Sequence, residues 1–220
     1  LVWMLFISEK DLFSVFGKRK KLIELKTSEL QLQEEINSAK QEQAQLRSVT
    51  TVDPTTGLHN RRWMNEMFVR QIDRCARGKQ PLSLAVLDID RFKLVNDTYG
   101  HLFGDRVIRA VGSALKAGVK GKDFVARYGG EEFALILPDT SMDGALSAAE
   151  RIRHRVTTLA LLPELAMLIQ PPFPITCSIG VASFPIHAAS SQELVAAADT
   201  AVYAAKHAGK NCVRMASPAV

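Results

Sequence analysis

The chain contains 220 residues, of which 47% are hydrophobic and 23% are charged, and its formal net charge is +5. This composition is that of an ordinary soluble globular protein, and the length suits one well-buried domain with an appendage or two small domains. No repeat, low-complexity block or run of about 18 apolar residues occurs, which excludes a repeat protein and a membrane span within the chain.

Charge and cysteine content bear on the ligands of the protein and on its cellular compartment. The mild basic excess fits either a solvated surface or attraction to a phosphate-rich ligand, and composition alone leaves nucleic acid open. Three cysteines, Cys75, Cys177 and Cys212, share no metal-type spacing. They predict a reducing compartment, with the thiols acting as small hydrophobic groups.

The first residues, LVWMLFI, are apolar and lack an initiating Met, so we expect the chain to be a fragment. They could be the tail of a membrane span or the last strand of an upstream sensor. The cluster Lys18-Arg19-Lys20-Lys21 suits the cytoplasmic side of a membrane, or simply a solvated helix. We therefore expect a cytoplasmic domain, and anchorage of the full-length protein in the inner membrane stays an open alternative.

Residues 1–52 differ from the rest and predict an N-terminal signalling or dimerisation helix. No Gly or Pro occurs between Leu22 and Leu46, and two heptad positions are occupied by Leu25, Leu32, Ala39 and Leu46 and by Leu22, Glu29, Ile36 and Gln43. This is the seam of a coiled coil with polar residues at two core positions. A parallel homodimer would bury it; the alternative is a helix packed on its own domain.

The segment Val52 to Gly57 breaks the helix, and a second domain is predicted over 53–220. Asn60 is placed to cap a helix with an apolar stripe formed by Trp63, Met67, Phe68, Ile72 and Cys75. The elements that follow are a strand at 82–89, a short helix or turn, a helix at 104–118 with Val107, Ile108, Val111 and Leu115 inward, a hairpin at 124–138, a helix at 141–162, an uncertain stretch at 163–173, a strand at 175–184, a helix at 191–208 and a strand at 211–215.

This order predicts an α+β fold, with a central sheet that contains an antiparallel hairpin and has helices packed on it. A Rossmann fold would need a glycine-rich turn directly after the first strand. The sequence there is LDIDRFK, which contains no glycine, so we reject that fold. Within the hairpin, Gly129-Gly130 is predicted to supply the positive φ angles of a two-residue turn, with Glu131 and Glu132 opening the second strand.

Acidic residues occur where the strands should meet. Asp88 ends an apolar run, whereas Asp90 could simply cap the next turn. Because one of Glu131 and Glu132 must face the same side as Asp88, two or three carboxylates could hold Mg²⁺ or Mn²⁺ for phosphoryl transfer. Spacing alone leaves open that these are ordinary acidic turn residues.

Phosphates would also need cations. Lys206 and Lys210 lie four residues apart near a predicted helix C-terminus and so on one face, although a favourable interaction with the helix dipole would also explain them. Lys93, in the turn after Asp88, is a third candidate.

Five segments in order resemble the GGDEF domain of diguanylate cyclases, in a GGEEF variant. They are DPTTGLHNRR, LDIDRFKLVNDTYGHLFGD, RYGGEEF, SIGVA and ADTAVYAAKHAGKN, and the resemblance covers about 53–215. It implies a palm-like α+β fold related to nucleotidyl cyclases, of ferredoxin-like type. It also implies that two GTP molecules, each on its own subunit, condense into cyclic di-GMP with release of pyrophosphate.

The resemblance also implies residue roles. Asp88, the Ile89 carbonyl and Glu131 would be the ligands of Mg²⁺ or Mn²⁺. Glu131 would also be the base, with Glu132 beside it, and Lys93 would stabilise the transition state. The implied substrate-binding residues are Phe92 in the turn that holds phosphates, Asn96, His101 and Asp105 at the guanosine, Gly129 and Gly130 at the hairpin, and Lys206 and Lys210 at the phosphates.

Three positions depart from the family pattern. Thr55 stands where Leu is usual, and Lys210 where Arg is usual, which loses a bidentate fork. The family's product-inhibition site, Arg-x-x-Asp, here reads Lys120-Gly121-Lys122-Asp123. We therefore expect weak or absent inhibition by cyclic di-GMP through Lys120 and Asp123.

Two other functions are open to such a chain. A non-catalytic nucleotide receptor would show losses in GGEEF, at Asp88 or at the guanine residues and would keep Arg-x-x-Asp, the reverse of what this sequence shows. A palm that binds nucleic acid would show a basic stripe with exposed aromatic residues, and none is found, so nucleic acid is not expected as a partner.

Overall fold

The computed structural model describes residues 9–49, 51–119, 121–159 and 174–218. The chain divides into two compact units, Leu1–Thr50 and Thr51–Val220. None of the described helices is long and apolar enough to cross a membrane.

The first unit contains one long helix, α1 (Glu9–Val49). Several large apolar side chains along it are between 46% and 67% exposed: Leu22, Ile23, Leu25, Leu30, Leu32 and Ile36. The side chains of Ala39, Gln43 and Leu46, which complete the predicted seam, lie outside the described residues. The helix therefore presents apolar residues at a heptad-like spacing, and the coiled coil itself stays a prediction.

The second unit is a mixed sheet with helices on both faces. Its helices are α2 (Arg61–Gly78), α3 (Phe92–Tyr99), α4 (His101–Gly118), α5 (Met142–Thr157) and α6 (Ser191–His207). Its strands are β1 (His59–Asn60), β2 (Leu82–Ile89), β3 (Phe124–Arg127), β4 (Glu132–Pro138), β5 (Cys177–Phe184) and β6 (Val213–Met215). Across the described part of the chain the strand order is β1-β3-β4-β2-β5-β6.

Strand β2 is the centre of this sheet and decides where the core lies. It pairs antiparallel with β4 on one side and with β5 on the other, and every one of its residues is buried. Alternate side chains point to opposite faces. Leu84 and Val86 therefore pack with α2 and α6, while Leu87 and Ile89 pack with α3, α4 and α5.

Most of the element predictions agree with the structure. The strand at 82–89 and the inward positions of the helix at 104–118 are confirmed, and Asn60 caps α2 by accepting from the Trp63 amide at 3.0 Å. The helix predicted to 162 ends at Thr157, and residues 160–173 lie outside the described residues.

The predicted apolar stripe of α2 was partly wrong. The residues of α2 that are buried are Met64, Phe68, Ile72 and Cys75, whereas Trp63 and Met67 are half-buried. The Trp63 ring stacks on the His59 ring instead, with 3.4 Å between ring centroids and 7° between planes. Phe68, Ile72 and Cys75 were thus predicted correctly, and Met64 takes the place expected for Trp63, which covers the short edge strand β1.

The hairpin turn also differs from the prediction. It spans Tyr128–Glu131, and only Glu132 opens β4. The amides of Tyr128 and Gly129 both donate to the Glu132 carbonyl, at 2.8 and 3.1 Å. Neither Gly129 nor Gly130 has a positive φ angle, so the prediction that they supply the positive φ angles of the turn was wrong. A Cβ atom at Gly129 would overlap only the end of the exposed Glu132 side chain, which can move aside.

Candidate active site

Strand register brings three carboxylates to one end of the sheet. Asp88 lies opposite Glu132 of β4, so both side chains point to the same face. Glu131 lies in the preceding turn, and its carbonyl accepts from the Ile89 amide at 3.2 Å. The residue that shares the face of Asp88 by strand pairing is therefore Glu132, while Glu131 reaches the same place from the turn.

One lysine neutralises part of this charge. The Lys206 ammonium lies 2.7 Å from Oδ2 of Asp88, a carboxylate whose side chain is only 7% exposed. Burial raises the pKa of Asp88, Lys206 opposes that shift, and the charges of Glu132 and Asp90 add to it. The pKa of Glu131 is also raised. Burial is the largest cause, and the charge of Asp88 is the second. These carboxyl groups repel one another and favour a bound cation.

The donor set fits a hard divalent ion. The carboxylates of Asp88 and Glu132 lie on one face of the sheet, Glu131 lies in the adjoining turn, and a cationic group, the Lys206 ammonium, already contacts Asp88. Within the described residues, no group of three or more His, Cys, Asp or Glu side chains is placed to hold a metal. Asp88, the Ile89 carbonyl and Glu131 would supply two carboxylates and one carbonyl, which would leave coordination positions for substrate oxygens, as Mg²⁺ sites commonly do.

Asp90 does not cap the turn that follows it. The carboxylate is buried and accepts from the Thr176 hydroxyl at 2.8 Å, the Ser178 hydroxyl at 2.6 Å and the Asn211 amide at 2.9 Å. Arg91, at the start of α3, has a left-handed φ of 55° and no side-chain cap. Asp90 thus joins three segments that are distant in sequence, which spacing alone could not reveal.

Helices α3 and α4 carry the other expected substrate residues. The Phe92 side chain is buried in the core, so its backbone alone can face a ligand, while Lys93 is exposed in the first turn of α3. Oδ1 of Asn96 is buried and has no hydrogen-bond partner. Gly104 packs against it so closely that a Cβ atom would overlap that oxygen. A buried acceptor without a partner is uncommon in folded proteins.

The remaining expected residues of this region follow at the start of α4. His101 is exposed in the first turn, and Asp105 is half-buried one turn later on the same face.

The two expected phosphate lysines do not share a helix face. Helix α6 ends at His207, with Lys206 in its last turn. Lys210 lies beyond the helix, in a turn where it has a φ of 66° and its amide donates to the Ala205 carbonyl at 3.1 Å. The prediction of an i, i+4 pair was therefore wrong. Lys210 instead lines a cavity of about 190 Å³ together with Arg91 and Thr176.

The expected inhibitory position is only partly described. Lys120 lies outside the described residues. Asp123 is half-buried just before β3 and lines a cavity of about 180 Å³ with His59 and Lys116.

Arg127 is a site residue that the sequence reasoning missed. Its guanidinium donates to the carbonyls of Gly129 and Gly130 at 3.2 and 2.7 Å, and it forms an ion pair with Asp53 at 3.3 Å. Both side chains of this pair are about 15% exposed. The arginine therefore ties the turn that carries Glu131 to the segment that follows α1. The only signal in the sequence was its place directly before YGGEEF.

Comparison with known proteins shows which family the chain resembles. The family model described as "Diguanylate cyclase, GGDEF domain" matches residues 50–212. The response regulator PleD of Caulobacter vibrioides is 40% identical over 169 residues, which are 75% of this chain and 36% of that protein. The diguanylate cyclase DgcP of Pseudomonas aeruginosa is 37% identical over 170 residues, 77% of this chain and 24% of that protein. The chain thus spans about a third or less of the length of these two relatives.

A solved structure gives the same result for the fold. The coiled coil and GGDEF domain of DgcB from Caulobacter crescentus, in complex with c-di-GMP, superposes with a TM-score of 0.70 at 33% identity. The match covers 87% of this chain and 99% of that one. The predicted palm-like α+β fold is confirmed, and the chain belongs to the diguanylate cyclase GGDEF domain family.

Proposed function

We propose that this protein is a diguanylate cyclase, which condenses two GTP molecules into cyclic di-GMP and releases pyrophosphate. The observation that carries the proposal is the strand register at Asp88, which gathers Glu131, Glu132 and Lys206 at one end of the sheet. The activity named for relatives such as DgcP supports it.

The reacting groups would be divided among the site residues as follows. Mg²⁺ or Mn²⁺, held by Asp88, the Ile89 carbonyl and Glu131, would polarise the α-phosphate and lower the pKa of the attacking hydroxyl. Glu131 takes the proton from the 3′-hydroxyl, a role suited by the raised pKa of its carboxyl group, with Glu132 beside it. Lys93 stabilises the charge that develops on the phosphate.

Substrate binding is assigned to the two sides of this centre. On the phosphate side are Lys206, Lys210 and the backbone at Phe92. On the guanosine side are His101, Asp105 and Asn96, the positions that match the family's guanosine-binding residues. The backbone of Gly129 and Gly130 approaches the nucleotide.

One subunit would hold only half of the reaction. The bond forms when two GTP-loaded sites face each other, so the rate depends on how the subunits are brought together. The exposed apolar residues of α1 support a parallel coiled-coil homodimer. An upstream sensor that acts through this helix, and anchorage of the full-length protein in the inner membrane, are further predictions.

Product inhibition is expected to be weak or absent. Lysine at position 120 offers charge without the planar fork that grips guanine and phosphate, although Asp123 is retained. Inhibition by low-micromolar cyclic di-GMP that disappears in Lys120→Ala would contradict this expectation.

The test is incubation with GTP and Mg²⁺ followed by separation of the nucleotides. We expect cyclic di-GMP and pyrophosphate from the wild type and none from Glu131→Ala. Glu66→Ala is the matched control, because that glutamate lies in an exposed ion pair on α2. Absence of product from the wild type, or undiminished product from Glu131→Ala, would refute the proposed function.

A further inference from the structure

The turn after α6 has an unusual backbone. Gly209, Lys210 and Asn211 have consecutive positive φ angles of 109°, 66° and 47°. Two of these residues are not glycine, so their conformation persists only where the surroundings impose it. This turn carries Lys210, which makes its anchors relevant to the phosphate site.

Asn211 is anchored from two sides. Its amide donates to Oδ2 of Asp90 at 2.9 Å, and its side-chain oxygen accepts from Arg153 of α5 at 2.8 Å. The second anchor is exposed to solvent, whereas the first ends on a carboxylate that is 4% exposed. Hydrogen bonds to a buried carboxylate are stronger than those at the surface. Asp90 is therefore the stronger of the two anchors of Asn211, and it acts together with the bond from the Lys210 amide to the Ala205 carbonyl.

Asp90 also bonds the segment where β5 begins. Its main-chain amide donates to the Thr176 carbonyl at 2.9 Å, and its two carboxylate oxygens accept from the hydroxyls of Thr176 and Ser178. Ile89, the expected carbonyl ligand, precedes it, and Arg91, in a left-handed conformation, follows it. Asp90, Arg91 and Lys210 together line the cavity of about 190 Å³ between the two turns.

We propose that Asp90 is the positioning residue of the triphosphate subsite. It fixes the turn that carries Lys210 against the turn that starts α3, so that the two phosphate-binding segments are held at a set distance before the nucleotide arrives. This inference rests on the proposed function, because it takes GTP as the ligand.

Two substitutions of Asp90 distinguish a positioning role from that of a metal ligand or a simple counter-charge. In Asp90→Asn, the amide oxygen can take the place of Oδ2 and accept from Asn211 and Thr176, while the amide nitrogen donates to the Ser178 hydroxyl, which can act as an acceptor. Asparagine therefore keeps the anchor and loses the charge. Alanine loses both.

The experiment measures binding by calorimetry with and without Mg²⁺. The probes are guanosine and a GTP analogue with a methylene group between the α- and β-phosphorus atoms, which cannot release pyrophosphate. We expect Asp90→Ala to weaken analogue binding by about tenfold or more under both conditions, and to leave guanosine binding within about twofold. Asp90→Asn should stay within about threefold of the wild type for both probes.

Asp143→Ala, an exposed acid on α5, is the control and should change neither affinity. If Asp90→Ala lacks a cooperative melting transition, Asp90→Ser replaces it, since serine is too short to bond both β5 and Asn211. Equal losses for guanosine and the analogue, or an Asp90→Asn variant as weak as Asp90→Ala, would overturn the inference. Wild-type protein that binds neither probe would refute the proposed function as well, whereas a normal wild type with an unaffected Asp90→Ala would refute the inference alone.

Discussion

At the scale of single residues, the acidic cluster at the end of the sheet lowers the stability of the folded chain. Asp88, Glu131 and Glu132 lie close together with one ammonium group, Lys206, and burial raises the pKa of both Asp88 and Glu131. Ionising such groups costs more in the folded chain than in the unfolded chain. Active sites commonly carry this kind of strain because the ligand relieves it.

Neutralising Glu131 should therefore stabilise the protein in the absence of metal. Because the pKa of Glu131 is raised on folding, its contribution to stability is fully present below its ordinary value of about 4.5 and is lost as pH rises through the raised value. Glu131→Gln lacks this loss. Since Glu131 is half-buried and solvent screens it, we expect the melting temperature at pH 7 with EDTA to rise by only about 1–3 °C.

The difference between variant and wild type should shrink near pH 4, where the wild-type carboxyl group is protonated. Thermal melts at both pH values check this, with Glu66→Gln as the control at an exposed site. A lower melting temperature for Glu131→Gln at pH 7 would show that the raised pKa is wrong.

At the scale of elements, the turn between β3 and β4 depends on a side chain outside the GGEEF segment. Arg127 bonds the carbonyls of Gly129 and Gly130 and also Asp53. Because Glu131 follows directly, the position of its carboxylate depends on this clamp, which also reaches back to the segment after α1.

Arg127→Met should lower the rate of product formation by about tenfold or more, because a loosened turn misplaces Glu131. We expect an accompanying loss of about 1–3 kcal/mol in the free energy of unfolding, from the carbonyls and carboxylate left without a donor. Arg74→Met is the matched control, since it removes an exposed ion pair with Asp139. Wild-type turnover in a folded Arg127→Met protein would contradict the clamp.

The contact between β5 and α6 holds Lys206 over the sheet. It requires Gly180, because a Cβ atom there would overlap the backbone of Ala198 and Val202 in α6. Backbone cannot move aside as a flexible side chain can.

Gly180→Ala should therefore cost at least about 2 kcal/mol in the free energy of unfolding, and it should reduce GTP binding by displacing Lys206. Gly121→Ala is the control, because a Cβ atom there meets nothing within 4 Å. Denaturant unfolding of both variants measures the effect. Equal stabilities would mean that α6 does not approach β5 as closely as the structure indicates.

At the scale of the whole molecule, activity should depend on the encounter of two catalytic units. Removal of residues 1–50 should lower specific activity at nanomolar concentration, mainly by weakening dimerisation, and activity per subunit should recover as the protein concentration rises. Assays over a dilution series, together with sedimentation, check this. Fusion of an unrelated parallel dimeric coiled coil should restore activity, and full activity of the truncated protein at nanomolar concentration would disprove the idea.

Local pattern was a reliable guide wherever one physical cause dominates. The apolar run at 82–89 is buried on both faces, and the inward face of α4 follows from helical periodicity, so both were predicted correctly. Predictions failed where a distant group decides the outcome. Met64, and not Trp63, is buried in the apolar stripe of α2, because the Trp63 ring stacks on His59. Lys210 lies outside α6, which ends at His207.

By itself, the sequence determined the α+β fold, the family and the identity of the expected reactive groups, because buried periodicity and ordered motifs are local properties of the chain. Only the tertiary structure decided that Glu132 faces Asp88 across the strands, that Arg127 holds the turn and that Asp90 joins three separate segments. These facts depend on strand register and on hydrogen bonds between residues up to about 120 positions apart, and no local pattern encodes such distances.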